Sequence, residues 1–349
     1  MEKTIDLQQL AEMVTSKHGA RMKRSHKKEF REFIAGIAED MGYDAKVENN
    51  IISKNIVIGN PETAEIVLTA HYDTPPNMPY HFVKKQVSTL GITLPTALGV
   101  GVVLTKFAIE SQNRELLDFM LRSMQTSTFL LDGVAVASLG VGLYSFGLLG
   151  GENKYNYDDN SSGIIALLAL MNYYKNLPES ERNKIAFVMF DNEEKGLIGS
   201  LCYASKHNIK NQNFLNFDCV GRGNRINCIY TSKVANEFTN DIYETLGSLE
   251  SQGFVPNLKK SNLHTMSDHL SFKKSKGSLT ILLDEKDKPV TTHIHSSKDT
   301  KINLETISEI AKCSAETINK LLGFTEPSLN SLLNQEELTL TGLLEAPQR

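Results

Sequence analysis

The apolar run Ile185-Ala186-Phe187-Val188-Met189-Phe190 passes directly into Asp191-Asn192-Glu193-Glu194-Lys195-Gly196-Leu197. A segment with the pattern of a buried parallel strand therefore ends in adjacent carboxylates. Carboxylates crowded outside such a strand repel and raise each other's pKa unless a cation or a proton intervenes. The obvious cation is a metal ion, and a metal ion needs further ligands at other strand ends. The chain supplies them. Ile66-Val67-Leu68-Thr69-Ala70 leads into His71-Tyr72-Asp73-Thr74, and Asp158-Asp159-Asn160-Ser161-Ser162-Gly163 opens an apolar helical run. Phe214-Leu215-Asn216-Phe217 ends in Asp218, with Gly221 soon after, and His293-Ile294-His295 precedes Ser296-Ser297-Lys298-Asp299-Thr300. Imidazole combined with carboxylate, without a thiolate pattern, suits zinc, cobalt or manganese better than an iron–sulfur or structural thiolate site.

Taken singly, each element has an ordinary explanation. Asp-Asn-Ser-Ser-Gly is commonly a turn plus a helix N-cap, a lone histidine fits a hydrogen-bonded loop, and Glu193-Glu194 suits a solvated first helical turn favoured by the macrodipole. What separates the joint reading from these is repetition. Polar ligand types recur at apolar strand ends in a chain whose strands alternate with helices, and open α/β sheets bind ligands outside the carboxyl ends of their strands.

These segments, in this order, resemble the M28 family of zinc aminopeptidases, which is related to the glutaminyl cyclases, over about residues 25–76 and 152–323. The resemblance implies a three-layer αβα sandwich around a mostly parallel mixed sheet. It implies that His71 binds one metal, with Asp73 orienting it from outside the coordination sphere, and that Asp159, rather than Asp158, bridges two metals. Glu193 becomes the general base, and Glu194, Asp218 and His295 complete the ligand set, His295 matching better than His293. The implied cofactor is a pair of divalent ions, zinc first, with cobalt or manganese also suited. The implied activity is that of an exopeptidase, in which a metal-activated water, deprotonated by Glu193, removes N-terminal residues from a peptide substrate. Ser267-Asp268-His269-Leu270-Ser271-Phe272 resembles a family segment lining the substrate pocket, which makes Asp268 and His269 candidate substrate-binding groups; the same residues also read as a helix N-cap at Ser267 or Asp268. Two rivals remain: a glutaminyl-cyclase-like enzyme working with one zinc, and an inactive M28-like interaction protein, against which the intact Glu193 and full ligand set argue.

Composition limits the alternatives. A net charge of −4 gives no nucleic-acid signal. The cluster Lys17, Arg21, Lys23, Arg24, Lys27 and Lys28 reads most simply as a solvated helix entry, with contact to anionic lipid as the alternative. Cys202, Cys219, Cys228 and Cys313 lack the spacing of a disulfide framework or a zinc ribbon. Met1-Glu2-Lys3-Thr4-Ile5-Asp6 has no basic region followed by an apolar core, so a cytoplasmic catalytic domain is expected. Phe30, Phe33, Ile34, Ile37 and Met41 predict a helix over residues 25–41, with Ser25 as N-cap and Gly42 just past its end. Residues 45–48 and 51–58 predict strands, and residues 163–174 and 305–322 predict apolar and amphipathic helices.

The sequence divides into a discontinuous catalytic domain, residues 1–76 and 152–325, an insertion at 77–151, and a tail at 326–349. Between Asp73 and Asp159 the family has a short loop, whereas this chain has two uncharged stretches, Gln86–Thr105 and Gly133–Gly151, each long enough to cross a bilayer core as a helix. They predict an inserted helical hairpin, either membrane-associated or a soluble lid or homo-oligomer arm. The tail reads as a poorly ordered terminus, a partner-binding segment or a strand-like arm.

Overall fold

The computed structural model describes residues 6–77, 151–231, 235–262, 265–285, 289–324 and 342–346. The six helices that matter here are α1 (Leu7–Glu12), α2 (Arg24–Asp40), α3 (Gly163–Tyr174), α4 (Ile198–Lys206), α5 (Glu237–Gly247) and α6 (Leu304–Leu322). The strands are β1 (Ala45–Asn49), β2 (Lys54–Ile58), β3 (Ile66–His71), β4 (Ile185–Phe190), β5 (Asn213–Phe217), β6 (Arg225–Tyr230), β7 (Val255–Lys260), β8 (Gly277–Asp284), β9 (Lys301–Asn303) and β10 (Leu343–Glu345).

Strands β1 to β8 form one mixed sheet in the order β1-β2-β4-β3-β5-β8-β6-β7. Its centre, β4-β3-β5-β8, is parallel, with His71 level with Phe190 and Thr69 level with Asn216. Each of these strands is a short apolar run buried on both faces, as parallel sheets require. Four parallel neighbours send their carboxyl ends to the same edge, so the residues that follow β3, β4 and β5 are forced together. The paired edges on either side, β2 against β4 and β6 against β8, are antiparallel.

Alternation along each strand divides the core in two. Leu68, Ala70, Phe187, Met189, Leu215 and Phe217 pack with Phe30 and Ile34 of α2, nearly all of α3, and Ile307 and Ile310 of α6. Val67, Ala186, Val188, Phe190 and Phe214 face the other way, onto Tyr203 of α4 and Phe272. Helices therefore cover both faces, giving three layers. Helix α3 lies between the sheet and α6 and is buried all round except at Tyr173, which explains why its sequence is apolar on every side.

Helix boundaries follow local chemistry with one exception. Gly42 ends α2 with φ +77°, and Gly323 ends α6 with φ +62°, both left-handed positions that glycine occupies cheaply. Asn303 caps α6 by accepting from the backbone N–H groups of Glu305 and Thr306. Ser25, however, does not cap α2. The helix starts one residue earlier, and Lys23, in the cap position, bonds instead through its own N–H to Glu152. The basic cluster is also not a uniformly solvated face: Arg21 is completely buried, and Lys27 is buried on the inner side of α2.

The predicted hairpin falls on residues 78–150, outside the described residues, as do residues 325–341 of the tail. The two ends of the insertion meet, with Pro76 bridged to Glu152 and the N–H of Asn77 donating to the carbonyl of Gly151 at 2.9 Å. Of the tail, Leu343–Glu345 forms a strand antiparallel to β9. Among the described residues no helix is long and apolar enough to cross a membrane.

Phe272 stacks face to face on Phe214 with ring centroids 3.8 Å apart and touches Phe190 and Tyr203, so it closes the smaller core. Phe272→Ala is expected to lower stability by about 3–5 kcal/mol, measured by urea denaturation; a loss below about 1 kcal/mol would show that this cluster does not anchor the 268–272 turn.

Candidate metal centre and active site

The last residue of β3 is His71, and its imidazole lies among acids. Nε2 is 3.2 Å from Asp159 Oδ1 and 3.8 Å from Asp218 Oδ1. On the other side of Asp159, Oδ2 lies 2.9 Å from His295 Nε2, which is itself 3.3 Å from Glu194 Oε2. Asp159 thus faces one histidine with each oxygen, and each histidine is accompanied by a second acid. Donor atoms of His71, Asp159 and Glu194 lie within 4.8 Å of one another, and so do those of Asp159, Asp218 and Cys219. Two imidazoles and three carboxylates make a donor set suited to divalent zinc, cobalt or manganese. Glu194 Oε1 is buried and has no hydrogen-bond partner among the described residues. An uncompensated buried carboxylate oxygen is costly, and a cation is a partner that would satisfy it.

The loop before α3 presents Asp159. Its backbone has non-helical dihedrals at Asp159 and Asn160, and the peptide between them is cis. Asp299 holds this loop by accepting the N–H groups of Asp158 at 2.8 Å and Asp159 at 3.0 Å. Burial, together with Asp158, pushes the Asp299 carboxyl well above the ordinary range. Asp158 points elsewhere. One of its oxygens accepts the N–H of Gly221 and the other meets His293 Nε2 at 2.9 Å. His293 and Asp158 therefore form a separate pair beside His295 and Asp159. Asn160 supports the same loop by donating to the carbonyl of Phe217 and accepting the N–H of Gly163, where a Cβ would lie 2.4 Å from both Asn160 Oδ1 and the Phe217 carbonyl. Only glycine fits there.

Asp218 follows β5. Its Oδ2 accepts from Ser267 Oγ at 2.5 Å, and Ser267 in turn accepts from Asn216 Nδ2. The hydroxyl of Ser267 is used on Asp218 and makes no helix cap, contrary to the capping expectation. Asn216 also bonds Thr69 and Thr280, so a buried polar chain crosses β3, β5 and β8 beneath the site.

Asp73 lies against both His71 and the turn that carries Glu193. The Nδ1 of His71 makes its hydrogen bond to the backbone carbonyl of Asp73 at 3.1 Å, while the carboxylate stands 3.7 Å away. That carboxylate accepts the N–H of Glu193 at 2.9 Å. Burial would raise the Asp73 carboxyl, but Lys27 and His71 outweigh it and bring it below the usual range. Glu193 shows the opposite balance: desolvation, reinforced by Glu194, Asp268 and Asp218, pushes its carboxyl well upward against the pull of His71.

Asp268 and His269 are both fully buried. Burial pushes Asp268 up to about 7, with Asp73 and Asp218 adding to the rise. Burial also holds His269 down to about 4, so its ring is neutral at pH 7; its Nε2 contacts Ser261 Oγ and its carbonyl accepts from Ser278.

Several residues at this edge went unnoticed in the sequence. Lys27 binds Asp191 at 2.6 Å and Asn192 at 2.7 Å. Arg21 donates to the carbonyls of Tyr72 and His18 and to Ser161 Oγ. Asp299, which follows His295 in the same segment, holds the Asp159 loop, and Ser267, expected as a helix cap, serves Asp218 instead. Cys219, the thiol beside Asp218, is 3.3 Å from its carboxylate. The backbone adds a further signature: Asn192, Cys219 and His295, each at or beside a ligand position, have φ near +57°, a conformation that costs non-glycine residues free energy and clusters at functional sites.

Residues 146–318 match the model of peptidase family M28. No curated protein sequence gives a significant match. Among solved structures, the LapA aminopeptidase of Legionella pneumophila is 15% identical with a TM-score of 0.54, covering 92% of this chain and 72% of that one. The glutaminyl cyclase of Macrostomum lignano is 11% identical with a TM-score of 0.52, covering 92% and 89%. At these identities the likeness concerns the fold, and LapB of Legionella pneumophila, 18% identical with a TM-score of 0.50 over 91% of this chain and 71% of that one, shares it as well. The family match spans Asp159, Glu193, Glu194, Asp218 and His295, and over residues 146–318 the chain carries a peptidase family M28 domain.

Proposed function

We propose that the protein is a metal-dependent aminopeptidase that hydrolyses N-terminal residues from peptides. The observation that carries this reading is the two-sided sharing of Asp159, between His71 with Asp218 on one side and His295 with Glu194 on the other. Those five residues would hold two divalent ions, zinc by preference. When bound, such ions supply Lewis acidity, lowering the pKa of water and polarising a carbonyl.

The remaining work belongs to side chains. Glu193 takes a proton from the attacking water and later delivers it to the leaving amine, and a carboxyl pushed upward by burial is suited to both halves of that task. Asp73 holds Glu193 in place through its backbone N–H. The surrounding acids, including buried Asp268, provide negative charge suited to a free α-amino group, which is the reason for preferring an exopeptidase. The glutaminyl-cyclase-like reading with one ion shares the fold and most of the ligands, but it leaves the His71–Asp218 pair without a role.

Three measurements test the proposal. Release of a fluorescent amine from unblocked aminoacyl substrates, beside their N-acetylated forms, is expected for the free amines alone, with Glu193→Gln lowering kcat by about 10³-fold or more while retaining its metal. Cleavage of the acetylated forms, or an unimpaired Glu193→Gln variant, would overturn the reading. Metal analysis is expected to give two equivalents in wild type and one in Asp218→Asn; a single equivalent in wild type would favour the cyclase. Chelation should also lower Tm by roughly 5–10 °C, reversibly on adding Zn2+, because an ion bound only by the folded state stabilises by about 3 kcal/mol when present at a hundred times its Kd.

A further inference from the structure

The inner face of α2 carries two buried cations one turn apart, Lys27 and Arg31. Arg31 bonds the hydroxyl of Tyr72, which donates to the carbonyl of Lys54. Lys27 reaches the neighbouring strand end. Its ammonium contacts Asp191 Oδ1 at 2.6 Å and Asn192 Oδ1 at 2.7 Å and lies 4.0 Å from Asp73 Oδ2. These three partners surround the start of the turn that presents Glu193 and Glu194. Asp191 also accepts the N–H of Lys54, Asn192 donates to the carbonyl of Ile52, and Asp73 accepts the N–H of Glu193. Asn192 is held in the left-handed region at φ +58°. From there the turn closes on itself, with Gly196 and Leu197 donating to the carbonyl of Glu193 and Ile198 to that of Asn192.

A buried ammonium is expensive to desolvate, and a lone ion pair rarely repays that cost. Lys27 makes two short charge-assisted contacts, to Asp191 and Asn192, and approaches a second acid, Asp73, so its geometry suits a clamp. We propose that Lys27 is a positioning residue: it locks Asp191 and Asn192 so that Glu193 and Glu194 leave β4 in one fixed direction. The catalytic part of this inference rests on Glu193 being the general base, whereas the structural part does not.

The test separates the two. Hydrogen exchange is followed in metal-free protein for wild type, Lys27→Met, Lys27→Arg and the double variant Lys27→Met with Asp191→Asn, and kcat and KM are measured on an unblocked aminoacyl amide after zinc loading. In Lys27→Met, amides of residues 191–198 are expected to exchange at least tenfold faster, with residues 66–70 and 163–174 unchanged. kcat should fall about 100-fold, the usual cost of an ångström-scale misplacement, with KM within threefold and partial recovery in Lys27→Arg. The double variant also removes the charge of Asp191 that Lys27→Met leaves unpaired, so it is expected to fold even if the single variant fails to, and it should still show the loosened turn. Wild-type exchange at 191–198 in either folded variant, or acceleration spread evenly along the chain, would overturn the proposal. Absence of turnover in wild type would count against the peptidase reading, leaving exchange to decide the role of Lys27.

Discussion

Asp159 faces His71 through one oxygen and His295 through the other, and this two-sided carboxylate governs where everything else at the sheet edge must stand. A monodentate ligand could be supplied from almost any loop. A shared one has to sit between its partners, and here they come from β3 and from the segment before β9. The loop carrying Asp159 must therefore cross the carboxyl edge of the sheet before α3 can begin. Asp299 holds that crossing through two backbone N–H groups, and Gly163 lets the helix start without a Cβ striking Asn160 and Phe217.

The arrangement concentrates negative charge. Asp73, Asp159, Asp218, Glu193, Glu194, Asp268 and Asp299 meet at one edge, and like charges at such distances cannot all ionise without compensation. The chain answers in different ways on the two sides of the strand ends. Toward the site, imidazoles and the candidate metal positions balance Asp159, Glu194 and Asp218. Behind it, Lys27 balances Asp191 and Asp73, while burial and the neighbouring Asp158 push Asp299 well upward against the pull of the two N–H groups it accepts. Arg21 extends the same backing to the N-terminal segment, tying residues 14–21 to Tyr72 and Ser161. Burial pulls its guanidinium down to about 10, still charged at neutral pH.

Much of this is written in local pattern. Ile185–Phe190, Ile66–His71 and Gly163–Tyr174 are legible because apolar runs of those lengths have few alternatives, and the charged residues following them stand out for the same reason. The capping expectations fared less well. Ser25 and Ser267 carry the right side chain for an N-cap, yet the first is bypassed because Glu152 engages Lys23, and the second gives its hydroxyl to Asp218. Both partners lie far away in sequence, so no local rule could have found them. Lys27 and Arg21 were hidden more completely, since a basic residue at a helix entry is ordinarily solvated and only the fold reveals Asp191 and Tyr72 beside them. Asp73 meets His71 through its carbonyl at 3.1 Å and its carboxylate at 3.7 Å, and the second task of that carboxylate, accepting the N–H of Glu193, is visible only in the fold.

The insertion raises a question of cost that the fold answers. Seventy-three residues separate Asn77 from Gly151, where a short loop would suffice to join β3 to the Asp159 loop. Bringing two chain ends together costs conformational entropy, and that cost grows only slowly with the number of residues between them. The base of the insertion offsets this directly. Pro76 bridges Glu152, Asn77 bonds Gly151, and Glu152 receives Lys23 at 3.2 Å and His26 at 2.8 Å. Burial would raise the Glu152 carboxyl, but these two partners bring it below the usual range. Lys23 and His26 belong to the same entry of α2 as Lys27, so one helix start ties down both the root of the insertion and the turn bearing Glu193. That root and the turn are therefore joined through about one turn of helix, from Lys23 to Lys27, with an ion pair at each end.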